Sequence, residues 1–235
     1  MSRKLKGLAL VSCLVGFAAS LQAQTQITTG VIQGTVVDPS GAVVPGAEVV
    51  ICAERTGPVS DEPGLLHIDV AHTFDDVPKP DVLLVPGGIN TRRIIEDGHA
   101  VVDWVRAAHP TTTYTTSVCT GALILGAAGI LEGLPATTHW LAYDHLRRLG
   151  AVPTEERVVF AGKVVTGAGV SAGIDLALAL VGQMSGDEVA KAIQLGIEYD
   201  PQPPYDSGAP SKASPEIREL VTAVMRDAEA QLAQS

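Results

Sequence analysis

From residue 82 onward, short apolar runs alternate with longer segments whose apolar residues recur every three or four positions. Val82-Leu83-Leu84-Val85 is too short for a helix and reads as a buried strand, stopped by Pro86-Gly87-Gly88. Ile94, Ile95, Val101, Val102 and Val105 fall on one face and predict a single helix over 91–108. Residues 114–118 read as the next strand and 121–131 as an apolar helix that follows it. Two short strands around 158–160 and 164–166 flank Gly162-Lys163, a pair suited to a tight hairpin turn. Helices over 174–184, 187–198 and 215–232 complete the chain, with a Pro/Gly/Ser-rich loop over 201–214 before the last. Strands alternating with helices predict an α/β fold with a doubly wound, mostly parallel sheet and helices on both faces. The chain shows no internal repeat.

The first residues follow a different pattern. Ser2-Arg3-Lys4-Leu5-Lys6 is a basic start, an apolar run follows to Ala19, and Ala23-Gln24 offers a cleavage point, so residues 1–23 read as a signal peptide and the protein as exported. The run is too short to span a bilayer as a helix. Leu10-Val11-Ser12-Cys13 also resembles a lipobox, which would make Cys13 a lipidated N-terminus. Without use of the signal, the protein would be cytoplasmic. Residues 24–45 contain β-runs joined by Asp38-Pro39-Ser40-Gly41 and resemble the start of a carboxypeptidase regulatory-like β-sandwich.

At 235 residues and 46% hydrophobic content, the chain can bury one good core. Its formal charge of −10 argues against a nucleic-acid partner, which requires a basic footprint. Cys13, Cys52 and Cys119 lie too far apart to suggest a disulfide framework or a zinc site. With 4% aromatic residues, any pocket is lined mainly by aliphatic side chains and backbone.

Chemistry concentrates where the 114–118 strand meets its helix, at Ser117-Val118-Cys119-Thr120-Gly121. Such a turn lifts one side chain above the sheet edge, and helix amides beyond it favour a negative sulfur, so the Cys119 thiol is expected to titrate low. Read locally, a buried structural cysteine fits equally well. Together with Asp81-Val82-Leu83-Leu84-Val85-Pro86-Gly87-Gly88, Thr137-Thr138-His139-Trp140 and the turn over 167–173, the corner resembles the ThiJ/PfpI superfamily of the class I glutamine-amidotransferase-like fold, a flavodoxin-like architecture. The resemblance covers residues 46–230 and points within that superfamily to the isonitrile hydratases and the related sensor domains of AraC-type regulators.

The resemblance implies Cys119 as nucleophile, with Thr120 beside the thiol and the Gly88 and Thr120 amides polarising developing charge. Gly87 and His139 then belong to the substrate pocket. Threonine at a helix start is equally a cap, glycines after strands are commonly turns, and His139 beside Trp140 also fits a packed histidine. Gly167, Gly169 and Gly173 are spaced one residue too wide for a dinucleotide loop and read as a packing turn, with Asp175 in the first turn of the next helix. His67, His72, His99, His109 and His145 show no ligand spacing and read as surface residues.

The implied reaction is hydration of isonitriles to N-substituted formamides, a hydro-lyase activity needing neither metal nor organic cofactor. The alternative is a non-catalytic domain sensing a small molecule or an oxidant through the same thiol. The partner is a small molecule, and the resemblance implies a homodimer. One departure bears on activity. The family's first strand and helix, and the Asp in the turn after that strand, are missing from the expected place. Asp38, Glu48 and Glu54 are the nearby acids, and apolar surface is expected to lie open at that sheet edge.

Overall fold

The computed structural model describes residues 48–60 and 67–232. The 1–23 and 24–45 segments, with Cys13 and Asp38, lie outside the described residues. Four short strands come first: β1 (Cys52–Ala53), β2 (Gly57–Ser60), β3 (His67–Val70) and β4 (His72–Thr73). β1 and β4 pair in parallel, and β2 and β3 form an antiparallel ladder. The main elements follow as β5 (Val82–Val85), α1 (Thr91–Glu96), α2 (Ala100–Ala108), β6 (Tyr114–Val118), α3 (Gly121–Ala127), β7 (Pro135–Ala136), α4 (Tyr143–Arg148) and β8 (Val152–Pro153). β9 (Val158–Ala161), β10 (Val164–Gly167), α5 (Ala172–Ser185), α6 (Asp187–Gly196) and α7 (Pro215–Leu232) complete the order.

The central sheet runs β5-β6-β10-β9. The first three strands are parallel, and the hairpin turn at Gly162-Lys163 makes β9 antiparallel to β10. Register places Val85 opposite Ser117 and Gly167 opposite Val118, so three strand carboxyl ends meet at one edge. In open parallel sheets that edge is where ligands bind.

The two faces of the sheet are unequally covered. On one, Leu83, Val85, Val105, Leu123, Leu125, Leu131 and Leu146 form the large core beneath α2, α3 and α4. On the other, Val165 packs against Leu176 and Leu180 of α5. Alternation along β5 aims Leu83 and Val85 into the large core, whereas Val82 is 37% exposed and Leu84 52%. Apolar side chains among the described residues thus lie open along this strand. Among the described residues β1 pairs with β4 and leaves β5 at the sheet edge.

Two helices differ from their sequence reading. The helix expected over 91–108 is broken in two, because Gly98 adopts φ +68° and His99 turns extended to cap α2, its Nδ1 accepting from the Val101 N–H. Apolar periodicity persisted across the break because both pieces pack on the same core. The helix expected to reach residue 131 ends at Ala127. Gly129 takes φ +77°, and the Gly129 and Ile130 amides fold back to the carbonyls of Gly126 and Leu125, a Schellman closure that glycine permits.

Candidate active site

Cys119 sits between β6 and α3 with φ +58°, a left-handed conformation that costs a non-glycine residue about 1–2 kcal/mol. Three contacts hold it there. Its N–H donates to the carbonyls of Gly167 (3.0 Å) and Ala168 (2.7 Å), and its own carbonyl accepts from Thr138 Oγ1 at 2.9 Å. Neighbouring glycines make the corner possible. A Cβ on Gly121 would come within 2.1 Å of the Val85 carbonyl, and one on Gly87 within 2.8 Å of Cys119 Cβ. The β5 turn and the start of α3 therefore touch backbone to backbone, bringing Gly87 and Gly88 against the cysteine.

A chain of hydroxyls fixes this junction. Thr120 Oγ1 accepts from the Gly88 N–H at 2.9 Å and lies 2.9 Å from the Gly88 carbonyl and 2.8 Å from Thr91 Oγ1. Thr91, fully buried, donates to the Gly88 carbonyl at 2.8 Å. The Gly88 amide, expected to point at a ligand oxygen, is thus turned onto Thr120, which accepts it because the two loops are in contact. The Thr120 amide also donates to the Cys119 sulfur, and the one Thr120 hydroxyl proton lies within reach of both that sulfur and the Gly88 carbonyl. No side-chain cap bond is made by Thr120 at the start of α3.

The electrostatics correct one expectation. The Cys119 thiol does not titrate low: burial pushes it up, and the two donations from Thr120 offset this only in part. α3 is seven residues long, and among the described residues neither a carboxylate nor a cation contributes to the sulfur's titration. Burial alone acts on His139 and lowers its pKa, so the imidazole is neutral at pH 7. His139 lines the same cleft but makes no hydrogen bond to Cys119, and its ring lies tilted against Trp140 at 6.0 Å.

Other candidates have structural partners. Asp175 binds Arg157 and accepts from the Tyr199 hydroxyl, away from the sulfur. The 167–173 turn is a packing turn, with Leu176 close to Gly167 and Val118 beside Gly173. Glu48 is exposed, and Glu54 pairs with His99 at 3.3 Å. The histidines read as surface residues are more engaged than that: His109 bonds Thr115 at 2.8 Å, and burial lowers the pKa of both His109 and His145.

The corner opens into a cleft of about 390 Å³. Pro86, Ile89, Val118, Leu141, Val170 and Met225 give it apolar walls, and Arg92 and Glu229 bring the charged groups. No sequence signal marks Arg92, Met225 or Glu229, and Thr138 enters only as part of the Thr137-Thr138-His139-Trp140 run. Thr91 carried a weak signal, three residues past Gly88 at a helix start. Glu229 carried none, since α7 reaches the cleft by tertiary packing. Among the described residues no cluster of His, Cys, Asp or Glu could hold a metal ion, and no helix is long and apolar enough to cross a membrane.

Comparison with known proteins accords with this geometry. Isonitrile hydratase from Pseudomonas putida is 44% identical over 172 residues, covering 73% of this chain and 75% of that protein. The HTH-type transcriptional regulator CdhR of Pseudomonas aeruginosa is 31% identical over 138 residues, which span 40% of its length. The crystal structure of a ThiJ/PfpI family protein from Pseudomonas syringae superposes with a TM-score of 0.72 at 35% identity, over 89% of this chain and 92% of that one. The DJ-1/PfpI family model matches residues 31–183, beginning within the segment likened to a regulatory β-sandwich and ending in α5. The chain belongs to the DJ-1/PfpI family.

Proposed function

We propose that this protein hydrates isonitriles to N-substituted formamides through Cys119, and does so slowly. The observation that carries this reading is a free cysteine held at φ +58° in the lining of an apolar cleft, in a chain 44% identical to an isonitrile hydratase. An isonitrile is compact, uncharged and electrophilic at its terminal carbon, which suits an aliphatic cleft ending in a thiol.

The Cys119 thiolate attacks that carbon, the carbon takes up a proton, and a thioimidate, S–CH=N–R, is formed. Water adds to the same carbon, and collapse expels the thiolate, leaving HC(=O)–NH–R. One water is consumed and the thiol returns unchanged. The Thr120 amide and hydroxyl stabilise the sulfur anion on attack and on departure. Gly88 and Thr91 act through Thr120, fixing its hydroxyl. Neutral His139 forms part of the substrate wall.

Slowness has two causes. Burial keeps little of the thiol ionised at neutral pH, and among the described residues no carboxylate is bonded near the sulfur to manage the proton. Lack of such an acid/base partner typically lowers a rate by about 10²–10⁴. The test follows formamide formation from an alkyl isonitrile by NMR. The protein should produce it at a low rate that Cys119→Ala abolishes. Equal rates in both would reject the proposal.

A further inference from the structure

The apolar walls above Cys119 are interrupted by two opposite charges that face each other. Arg92 stands one residue beyond Thr91, whose hydroxyl bonds Thr120. Glu229 arrives from α7, 137 residues away in sequence, and its Oε2 accepts from Arg92 Nη1 at 3.1 Å. Both side chains are 35% exposed, and both line the cleft. The other charges near Arg92 belong to α1 and α4: His145 feels Arg92 and Arg148 as repelling charges and Glu96 as an attracting one.

A guanidinium presents a planar fork of donors matched to a carboxylate. Glu229 engages that fork through one hydrogen bond. We propose that the Arg92–Glu229 pair determines the charge selectivity of this cleft, barring isonitriles that carry a carboxylate and holding in reserve a cation that would bind them. The inference rests on the isonitrile reading of the same site. A carboxylate-bearing ligand in the cleft is repelled by the Glu229 charge and must displace it from Arg92. An uncharged alkyl group meets neither cost and gains from contact with Ile89, Val118, Leu141, Val170 and Met225. Specificity of this kind arises from a repulsive element as much as from an attractive one.

The test uses two formamides of similar size, N-butylformamide and N-formyl-β-alanine, which differ in one carboxylate. Calorimetric titration into the full chain gives the ratio of their affinities without requiring turnover. The wild-type protein should favour N-butylformamide by about tenfold. In Glu229→Gln the ratio should move toward N-formyl-β-alanine by about tenfold, since each tenfold is a change that one freed charge contact can supply. Removing the cation as well, in Arg92→Gln/Glu229→Gln, should return the ratio to the neutral ligand. Exchanging the charges, in Arg92→Glu/Glu229→Arg, should keep the wild-type preference and gives a folded comparison in which the pair is intact. An unchanged ratio in Glu229→Gln, a shift that survives in the double variant, or no binding of either formamide would overturn the proposal. Isonitrile turnover is scored separately: turnover with an unchanged ratio discards only this inference, and the stated ratios without turnover discard only the catalytic reading.

Discussion

At the residue scale, the chemistry rests on two cysteines with different surroundings. Cys52 is buried in β1, and burial pushes its thiol from an ordinary 9.0 up to about 11, whereas Cys119 is raised by burial but steadied by Thr120. Alkylation by iodoacetamide, followed peptide by peptide, should therefore reach Cys119 before Cys52, with both rates still climbing above pH 9. Labelling of Cys119 that is already maximal at pH 7 would contradict the burial argument. The sign for stability follows from linkage. Between 9.0 and about 11 the unfolded chain releases the Cys52 proton while the folded one retains it, so stability falls as pH rises across that window. Cys52→Ala should flatten this alkaline fall in Tm. Thr120→Val strips the partner from the Gly88 N–H and from Thr91 Oγ1, at an expected cost of about 1–3 kcal/mol, and should slow Cys119 labelling at a given pH. The Cys119-Thr120 corner was legible in the sequence because a strand-to-helix turn is local, whereas Gly87, distant in sequence, entered only through the family resemblance. The thiol's upward shift was not legible, because burial depends on residues brought in from β5, β10 and α7.

At the element scale, the site depends on how closely the turn after β5 approaches α3. Gly121→Ala would force a Cβ to 2.1 Å from the Val85 carbonyl. Backbone cannot yield as a flexible side chain would, so a loss of more than about 3 kcal/mol or failure to fold is expected. Gly196→Ala, where a Cβ meets nothing within 4 Å at the end of α6, should be neutral or stabilising by up to about 1 kcal/mol. Chemical denaturation of the two variants side by side checks this contrast, and equal effects would refute it. Strands β5 and β6 and helix α7 matched their sequence reading closely, because short apolar runs ending in Pro-Gly-Gly or in a cysteine corner, and a Pro-started amphipathic run, carry their own boundaries. The break between α1 and α2 was hidden. Gly98 is a lone glycine in a continuous apolar stripe, and only the left-handed turn there and the cap by His99 show that the stripe spans two helices.

At the scale of the whole molecule, the doubly wound sheet is present, and among the described residues its two faces are covered unevenly. Apolar side chains remain open on the β5 edge at Leu84 (52% exposed), on α6 at Leu195 (79%) and on α7 at Leu220 (59%) and Val224 (55%). Surface of this kind favours self-association, and light scattering after size exclusion should give the mass of a homodimer, a monomer mass contradicting the expectation. What the pattern could not convey was that α7 would complete the cleft, since helix periodicity carries no information about which distant loop a helix will meet. The central claim is that Cys119 bonds covalently to the isonitrile carbon. Its most direct test is intact-protein mass spectrometry after mixing the full chain with an alkyl isonitrile, followed by peptide mapping. With no acid among the described residues bonded beside the sulfur to speed the water step, the account predicts a mass increase of one isonitrile located on Cys119, which decays as free formamide appears. Formamide released at the same rate by Cys119→Ala, or an adduct confined to another residue, would contradict it.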